Sequence, residues 1–266
     1  MKNIFENKVV WITGASSGIG KELAIQLSKK KCILVLSARR EKELICIANE
    51  LKLTGNNVLI LPFDLADVSS FSDKVERVIS TFNKIDFLIN NGGFSQRAEA
   101  LDTAEAVERE IFEVNYFAHT ALSKLVIPHM IKNGSGHITV ISSIAGKFGF
   151  YLRSSYSAAK HALHGYFESL RLETEKKGIR ILLVCPGKIN TDISVAAKTA
   201  SGTPHNRMDL SHELGMSANT CAKKIILSIE KNKQEIFVGG KELLVIYLKR
   251  FFPFFFNKII RKQSPY

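Results

Sequence analysis

The chain has 266 residues, of which 45% are hydrophobic and 23% charged. A charged fraction close to the globular norm of about 25% excludes wholesale disorder, collagen and coiled coil, and the length suits one α/β domain with a sizeable core. The 37 basic and 25 acidic residues leave +12, a balance that can attract nucleic acid, anionic lipid or a phosphorylated cofactor.

The excess is uneven. Between Ser217 and Tyr266, ten Lys or Arg stand against three Glu, so this tail carries +7. The four cysteines form no CxxC pair and the seven histidines no HExxH, so neither a disulfide framework nor a metal site is expected, and a reducing compartment is the simpler reading. Glu6 and Lys8 interrupt the opening MKNIFENKVVWITG, and no uncharged apolar run approaches the roughly 20 residues of a membrane span. A cytoplasmic location is expected.

In chain order, short apolar runs predict strands over 8–13, 32–37, 57–63, 85–90, 136–142, 179–185 and 235–238. They show little polar alternation, as strands covered on both faces should. Amphipathic stretches predict helices near 18–31, 40–54, 67–83, 103–133, 154–177 and 217–232. This alternation implies an α/β doubly wound parallel sheet of about seven strands. One catalytic domain is expected over 1–239, with a variable substrate loop at 190–216 and a basic aromatic appendage over 240–266.

The first strand runs into Thr13-Gly14-Ala15-Ser16-Ser17-Gly18-Ile19-Gly20 and then a helix. Glycines there allow a tight turn and a close approach of backbone to ligand. The helix start offers free N–H groups to a pyrophosphate, although a ligand-free glycine turn stays open as a duller reading. At the end of the second strand an NAD site usually places an acid. Here the residues are Ser37-Ala38-Arg39-Arg40. Arg39 could pair with a 2′-phosphate, which favours NADP(H) over NAD(H); solvated arginines starting a helix are the alternative.

Tyr156 and Lys160 are spaced i, i+4, so one helix face presents a phenol and an ammonium together. Ser143 follows the fifth strand, and Asn115 lies upstream in a predicted helix. With TGASSGIG at 13–20, these residues resemble the short-chain dehydrogenase/reductase family in its common single-domain form. Asp64-Leu65 resembles the family's adenine-contacting acid after strand three. Asn90-Asn91-Gly92-Gly93 resembles its NNAG motif, with Gly92 in place of Ala. Pro186-Gly187 through Ile189 to Thr191 resembles its PGxxxT segment beside the nicotinamide. The resemblance covers about residues 8–191 and implies a Rossmann-like fold with strand order 3-2-1-4-5-6-7. It also implies a cofactor site at Gly14, Ser16, Ser17, Gly18, Ile19, Gly20, Arg39, Asp64, Leu65, Asn91, Gly92, Tyr156, Lys160, Pro186, Gly187, Ile189 and Thr191. Family habit adds a homodimer or homotetramer, for which 103–133 and 154–177 would supply helix pairs.

The chemistry follows from the residues. Reducing a ketone needs a hydride at carbon and a proton at oxygen. Tyr156 would exchange that proton, and Ser143 would orient the carbonyl. An ammonium about 4 Å from the phenol favours phenolate by roughly 4 kcal/mol at an effective dielectric of about 20, so Lys160 is expected to lower the Tyr156 pKa. By the resemblance, Lys160 also holds the nicotinamide ribose and Asn115 keeps a relay water. Phe94, Phe148, Phe150 and Tyr151 are candidate substrate walls together with Ser143. Their character favours a lipophilic ketone, aldehyde or alcohol.

Two alternatives remain: a 3-ketoacyl thioester reductase of fatty-acid synthesis, with Arg97 or Arg153 contributing, and a non-catalytic NADP-sensing or scaffold protein. Residues 241–262 place five Phe within six positions between basic residues. This layout is similar to membrane-associated family members that act on lipids, including the seventh dehydrogenase/reductase group. It suggests peripheral contact at the inner face of a membrane, or else packing on the protein. No recognition motif supports nucleic acid.

Overall fold

The computed structural model describes residues 3–55 and 57–262; the outermost residues of both predicted segments, 1–2 and 263–266, lie outside them. In chain order, β1 (Val9–Thr13), α1 (Gly18–Ser28), β2 (Ile33–Ser37), α2 (Glu41–Glu50), β3 (Val58–Ile60), α3 (Phe71–Phe82) and β4 (Phe87–Asn90) form the first half. The second half holds α4 (Glu105–Phe112), α5 (Ala118–Lys132), β5 (Gly136–Ile141), α6 (Ser154–Thr174) and β6 (Ile179–Pro186). Then come β7 (Ile189–Asn190), α7 (Leu210–Glu213), β8 (Met216–Ser217), α8 (Ala218–Glu230), β9 (Glu235–Val238), α9 (Leu244–Phe251) and α10 (Pro253–Arg261).

The main sheet has seven strands in the order β3-β2-β1-β4-β5-β6-β9, all neighbours parallel. This is the expected order, with β9 as the seventh strand. Alternate residues of β1 serve opposite faces. Val10 and Ile12 pack with Leu23 and Leu27 of α1 and Ile225 of α8. Val9 and Trp11 pack with Val75 of α3, Leu122 of α5 and Phe167 of α6. Both faces are therefore covered, which explains the continuous apolar runs.

Three elements depart from expectation. The third strand is shorter than 57–63 and ends at Ile60, although the Leu61 and Phe63 N–H groups still donate to the Leu36 (3.0 Å) and Ala38 (3.3 Å) carbonyls. The long helix expected over 103–133 is interrupted by a π-helical turn at Glu113–Phe117. The 190–216 loop is held at several points rather than open. Its base is the β7–β8 pair, the Lys198 N–H donates to the Ser95 carbonyl at 2.9 Å, and the Arg97 N–H donates to the Lys198 carbonyl at 2.8 Å.

The C-terminal appendage packs on the rest of the fold. Ile246 and Phe256 are buried against Ile144 and Phe148. The Glu242 carboxylate accepts from the backbone N–H groups of Lys188 (2.9 Å) and Gly240 (3.0 Å), which ties it to the segment after β6. The opposite face stays open, with Leu244, Tyr247, Phe251, Phe252, Phe254 and Phe255 all exposed. One face of the tail is thus packed on the protein and the other is exposed. Among the described residues no helix is long and apolar enough to cross a membrane.

Candidate active site

A cleft of about 1200 Å³ opens at the carboxyl ends of the strands. At one end lies the turn between β1 and α1. Gly14 has φ +65°, and a Cβ there would come within 2.6 Å of the Gly92 Cα. Only glycine fits this turn, which brings the two backbones together. Ser17 precedes α1 in an extended conformation, with no side chain capping the helix. The first-turn N–H groups therefore remain available to an anion. Such a cradle fits the pyrophosphate of a dinucleotide.

The Asn90–Gly93 segment locks this turn. The Thr13 hydroxyl accepts from the N–H groups of Asn91 (3.0 Å) and Gly92 (3.1 Å), while the Asn91 amide donates to the carbonyls of Thr13 (3.0 Å) and Gly14 (3.2 Å). The Asn91 side chain is thus engaged with the turn itself. A Cβ on residue 92 would lie 2.3 Å from Leu65 Cδ1. Glycine at this departure from the motif is matched by Leu65 filling the space. His119, which sequence reasoning missed, is fully buried and its Nε2 meets the Gly92 carbonyl at 2.7 Å. That nitrogen must carry the proton, since a carbonyl only accepts. Burial holds the imidazole neutral, with its pKa lowered to about 3.

Arg39 and Arg40 both line the cleft at the end of β2. The expectation singled out Arg39. In the structure it is 72% exposed and stands 3.8 Å from Asp64, whereas Arg40 donates to the Ser16 hydroxyl of the glycine turn at 3.0 Å. Arg40 is therefore the arginine already placed on the turn.

Asn115, Ser143, Tyr156 and Lys160 all line the same cleft. Lys160 Nζ is 5.8 Å from the Tyr156 ring centre and donates to the Ile141 carbonyl at 3.0 Å. Asn115 sits in the π-helical turn, where its amide nitrogen donates to the carbonyls of Ile111 and Phe94, each at 3.1 Å. Widened turns of this kind often accompany functional sites. A Cβ at Gly93 would lie 2.5 Å from Asn115 Oδ1 and 3.7 Å from Lys160 Nζ. Both groups therefore border one small space, and Asn115 Oδ1 has no partner there. Ser143 is extended at the start of a short 3-10 turn, and its hydroxyl accepts from the Ala145 N–H at 3.1 Å.

The start of α6 carries a further residue that the sequence did not reveal. Arg153 precedes the helix without capping it through its side chain. Gln96, from the loop after β4, instead accepts from the N–H groups of Ser155 (2.9 Å) and Tyr156 (3.3 Å). Gln96 thus fixes the first turn of the helix that presents the phenol.

The electrostatics correct one expectation. Burial pushes the Tyr156 phenol above its ordinary value, opposed by the Arg153 charge and a hydrogen bond with Ser143. The Arg153 charge opposes this rise, while Lys160 Nζ stands 5.8 Å from the ring centre. Lys160 is itself lowered to about 7 by burial. The physical reason is desolvation, which for both groups disfavours the charged form.

Of the remaining expected residues, Gly18, Ile19, Leu65, Pro186, Gly187, Ile189 and Thr191 line the cleft, as do Phe94, Phe148, Phe150 and Tyr151. Gly20 does not; a Cβ there would lie 2.2 Å from the Gly14 carbonyl oxygen, so it serves the packing of turn on helix. Val245, Ile259 and Ile260 of the appendage also line the cleft, a contribution not anticipated. Away from the reacting groups, His164, Cys185 and Glu235 place ligand-type atoms within 4.8 Å of one another. Glu235 is already paired there with Lys147 at 2.6 Å.

Residues 8–201 match the family model described as short chain dehydrogenase. The chain is 38% identical over 268 residues to the dehydrogenase/reductase SDR family protein 7-like of Drosophila melanogaster, covering 99% of this chain and 82% of that protein. It is 40% identical over 253 residues to human dehydrogenase/reductase SDR family member 7, covering 92% of this chain and 74% of the relative. In fold it is similar to a Burkholderia phymatum short-chain dehydrogenase/reductase solved in complex with NAD, with a TM-score of 0.83 and 22% identity over 94% of this chain and 95% of that one. The chain belongs to the short-chain dehydrogenase/reductase family of oxidoreductases.

Proposed function

We propose that this protein is an NADP(H)-dependent oxidoreductase that interconverts a lipophilic ketone or aldehyde and its alcohol. The observation that carries the reading is the convergence of Ser143, Tyr156 and Lys160 in the cleft that begins at the glycine turn. When bound, the dinucleotide supplies or accepts the hydride. The Ser143 hydroxyl donates to the substrate oxygen and holds it toward Tyr156. Tyr156 donates its proton to that oxygen in reduction and recovers it in oxidation. Lys160 and Asn115 border the space in which a water would return the proton to Tyr156. Phe94, Phe148, Phe150, Tyr151, Val245 and Ile259 give the substrate end its apolar character.

The test is a panel of lipophilic ketones and alcohols followed by nicotinamide absorbance with NADPH and with NADH. Turnover with NADPH preferred supports the proposal. NADPH binding without turnover across the panel would favour the sensor reading instead.

We also propose that α9 and α10 rest on an anionic membrane surface. Residues 243–262 carry five basic and no acidic side chains, and Phe254 is 76% exposed on the outer face. Each Phe buried stabilises attachment by about 1.5–3 kcal/mol, and each basic residue near the surface by about 1 kcal/mol. Co-sedimentation with phosphatidylserine vesicles should be strong for the intact chain and largely lost in the triple variant Phe251→Ser, Phe254→Ser, Phe255→Ser. Equal sedimentation of both would remove the membrane role. A homodimer or homotetramer through α5 and α6 accompanies this reading, supported by exposed Phe117 just before α5 and exposed Leu172 on α6.

A further inference from the structure

We infer that Arg97 and Arg153 form a subsite for an acidic group of the substrate, which makes the substrate an oxo acid with an apolar body; this rests on the carbonyl-reductase reading above. Arg97 lies in the loop after β4, and Arg153 lies three residues before Tyr156. Both line the cleft. Their side chains are only 15% and 14% exposed.

The two guanidinium groups converge on the same atom, Oδ2 of Asp209, with Arg153 at 3.2 Å and Arg97 in closer contact. Two cations meeting one carboxylate oxygen leave an unbalanced positive charge in a largely desolvated wall. Such a charge is costly unless a further anion joins it. Arg153 also donates to His212 Nε2 at 3.4 Å, which requires that ring nitrogen to be unprotonated. Lys198 brings another cation to the wall but stands 3.3 Å from Glu110.

Arg153 also carries an unsatisfied donor. Its Nε–H is buried without a partner. A guanidinium fork suits a carboxylate, which accepts two parallel hydrogen bonds. The Phe150 ring lies 6.0 Å from the Arg153 guanidinium carbon, so the charged end and the apolar wall adjoin. The positive character of the wall is also felt by His205 and His212. Burial lowers both, and Arg97 lowers them further, joined at His212 by Arg153.

The test compares decanoate with methyl decanoate, which share a chain and differ in charge, by calorimetric titration of the full chain. Decanoate should bind about tenfold more tightly. Arg153→Gln and Arg97→Gln should each bring the ratio toward one, and Arg153→Lys should retain part of it. Thermal melting identifies any variant that has lost its fold, in which case Arg153→Lys decides. Equal affinity of the unaltered protein for acid and ester would overturn the inference, as would a ratio unmoved in folded Gln variants. The readout needs no turnover. A charge-dependent ratio without reduction of any carbonyl compound would sink the reductase reading and leave the subsite. Reduction of neutral ketones with a ratio of one would do the reverse.

Discussion

Tyr156→Phe is expected to lower kcat by about 10²- to 10⁴-fold, the range a positioned acid or base contributes, while dinucleotide affinity stays largely unchanged. The ring packs with Val107, Ile111 and Ala159, and phenylalanine preserves those contacts, so the fold should survive. What disappears is the one hydroxyl able to give its proton to the substrate oxygen held by Ser143. Burial keeps the resting phenol protonated well past neutrality, which suits a donor in the reductive direction. Arg153 and Ser143 then stabilise the phenolate that forms. Single-turnover reduction of a ketone found by the panel, with NADPH binding measured separately, checks the prediction. Near-native rates in the variant would place the proton donor elsewhere.

The dependence on Arg153 shows where sequence reading stops. The i, i+4 spacing of Tyr156 and Lys160 predicts that both groups share one face of α6, and both line the cleft. It said nothing of solvent exclusion, and desolvation, not the neighbouring ammonium, dominates both groups. The strand order was legible because uninterrupted apolar runs demand cover on both faces, and TGASSGIG marks the first crossover. The π-helical turn at Glu113–Phe117 was not, since helical periodicity continues on either side of it. Gln96 and Asp209 escaped for a different reason. Each acts on a partner more than fifty residues away in the chain, and no local pattern records such pairings. The tail was half legible: its composition revealed a basic aromatic face, but not that Ile246 and Phe256 turn inward while the other aromatics turn out.

Removing both arginines at the end of β2, as Arg39→Ala with Arg40→Ala, is expected to lower kcat/KM for NADPH about a hundredfold while leaving NADH nearly unaffected. A 2′-phosphate carries close to two negative charges at neutral pH, and charge-assisted bonds to it are each worth about 1.5–3 kcal/mol. Arg39 is open to solvent, so the lower end of that range applies to both, and two such bonds amount to about a hundredfold. NADH lacks the phosphate and has nothing to lose there. Asp64 strengthens the contrast. It stands 3.8 Å from Arg39, and once that cation is gone its carboxylate faces the phosphate uncompensated. The single variants should separate the two arginines. Arg40 already rests on Ser16 at 3.0 Å, so Arg40→Ala should also loosen the glycine turn and affect NADH slightly, whereas Arg39→Ala should affect NADPH alone. An unaltered ratio of the two cofactors in the double variant, or NADH preferred by the unaltered protein, would mean that the basic end of β2 does not select the nucleotide.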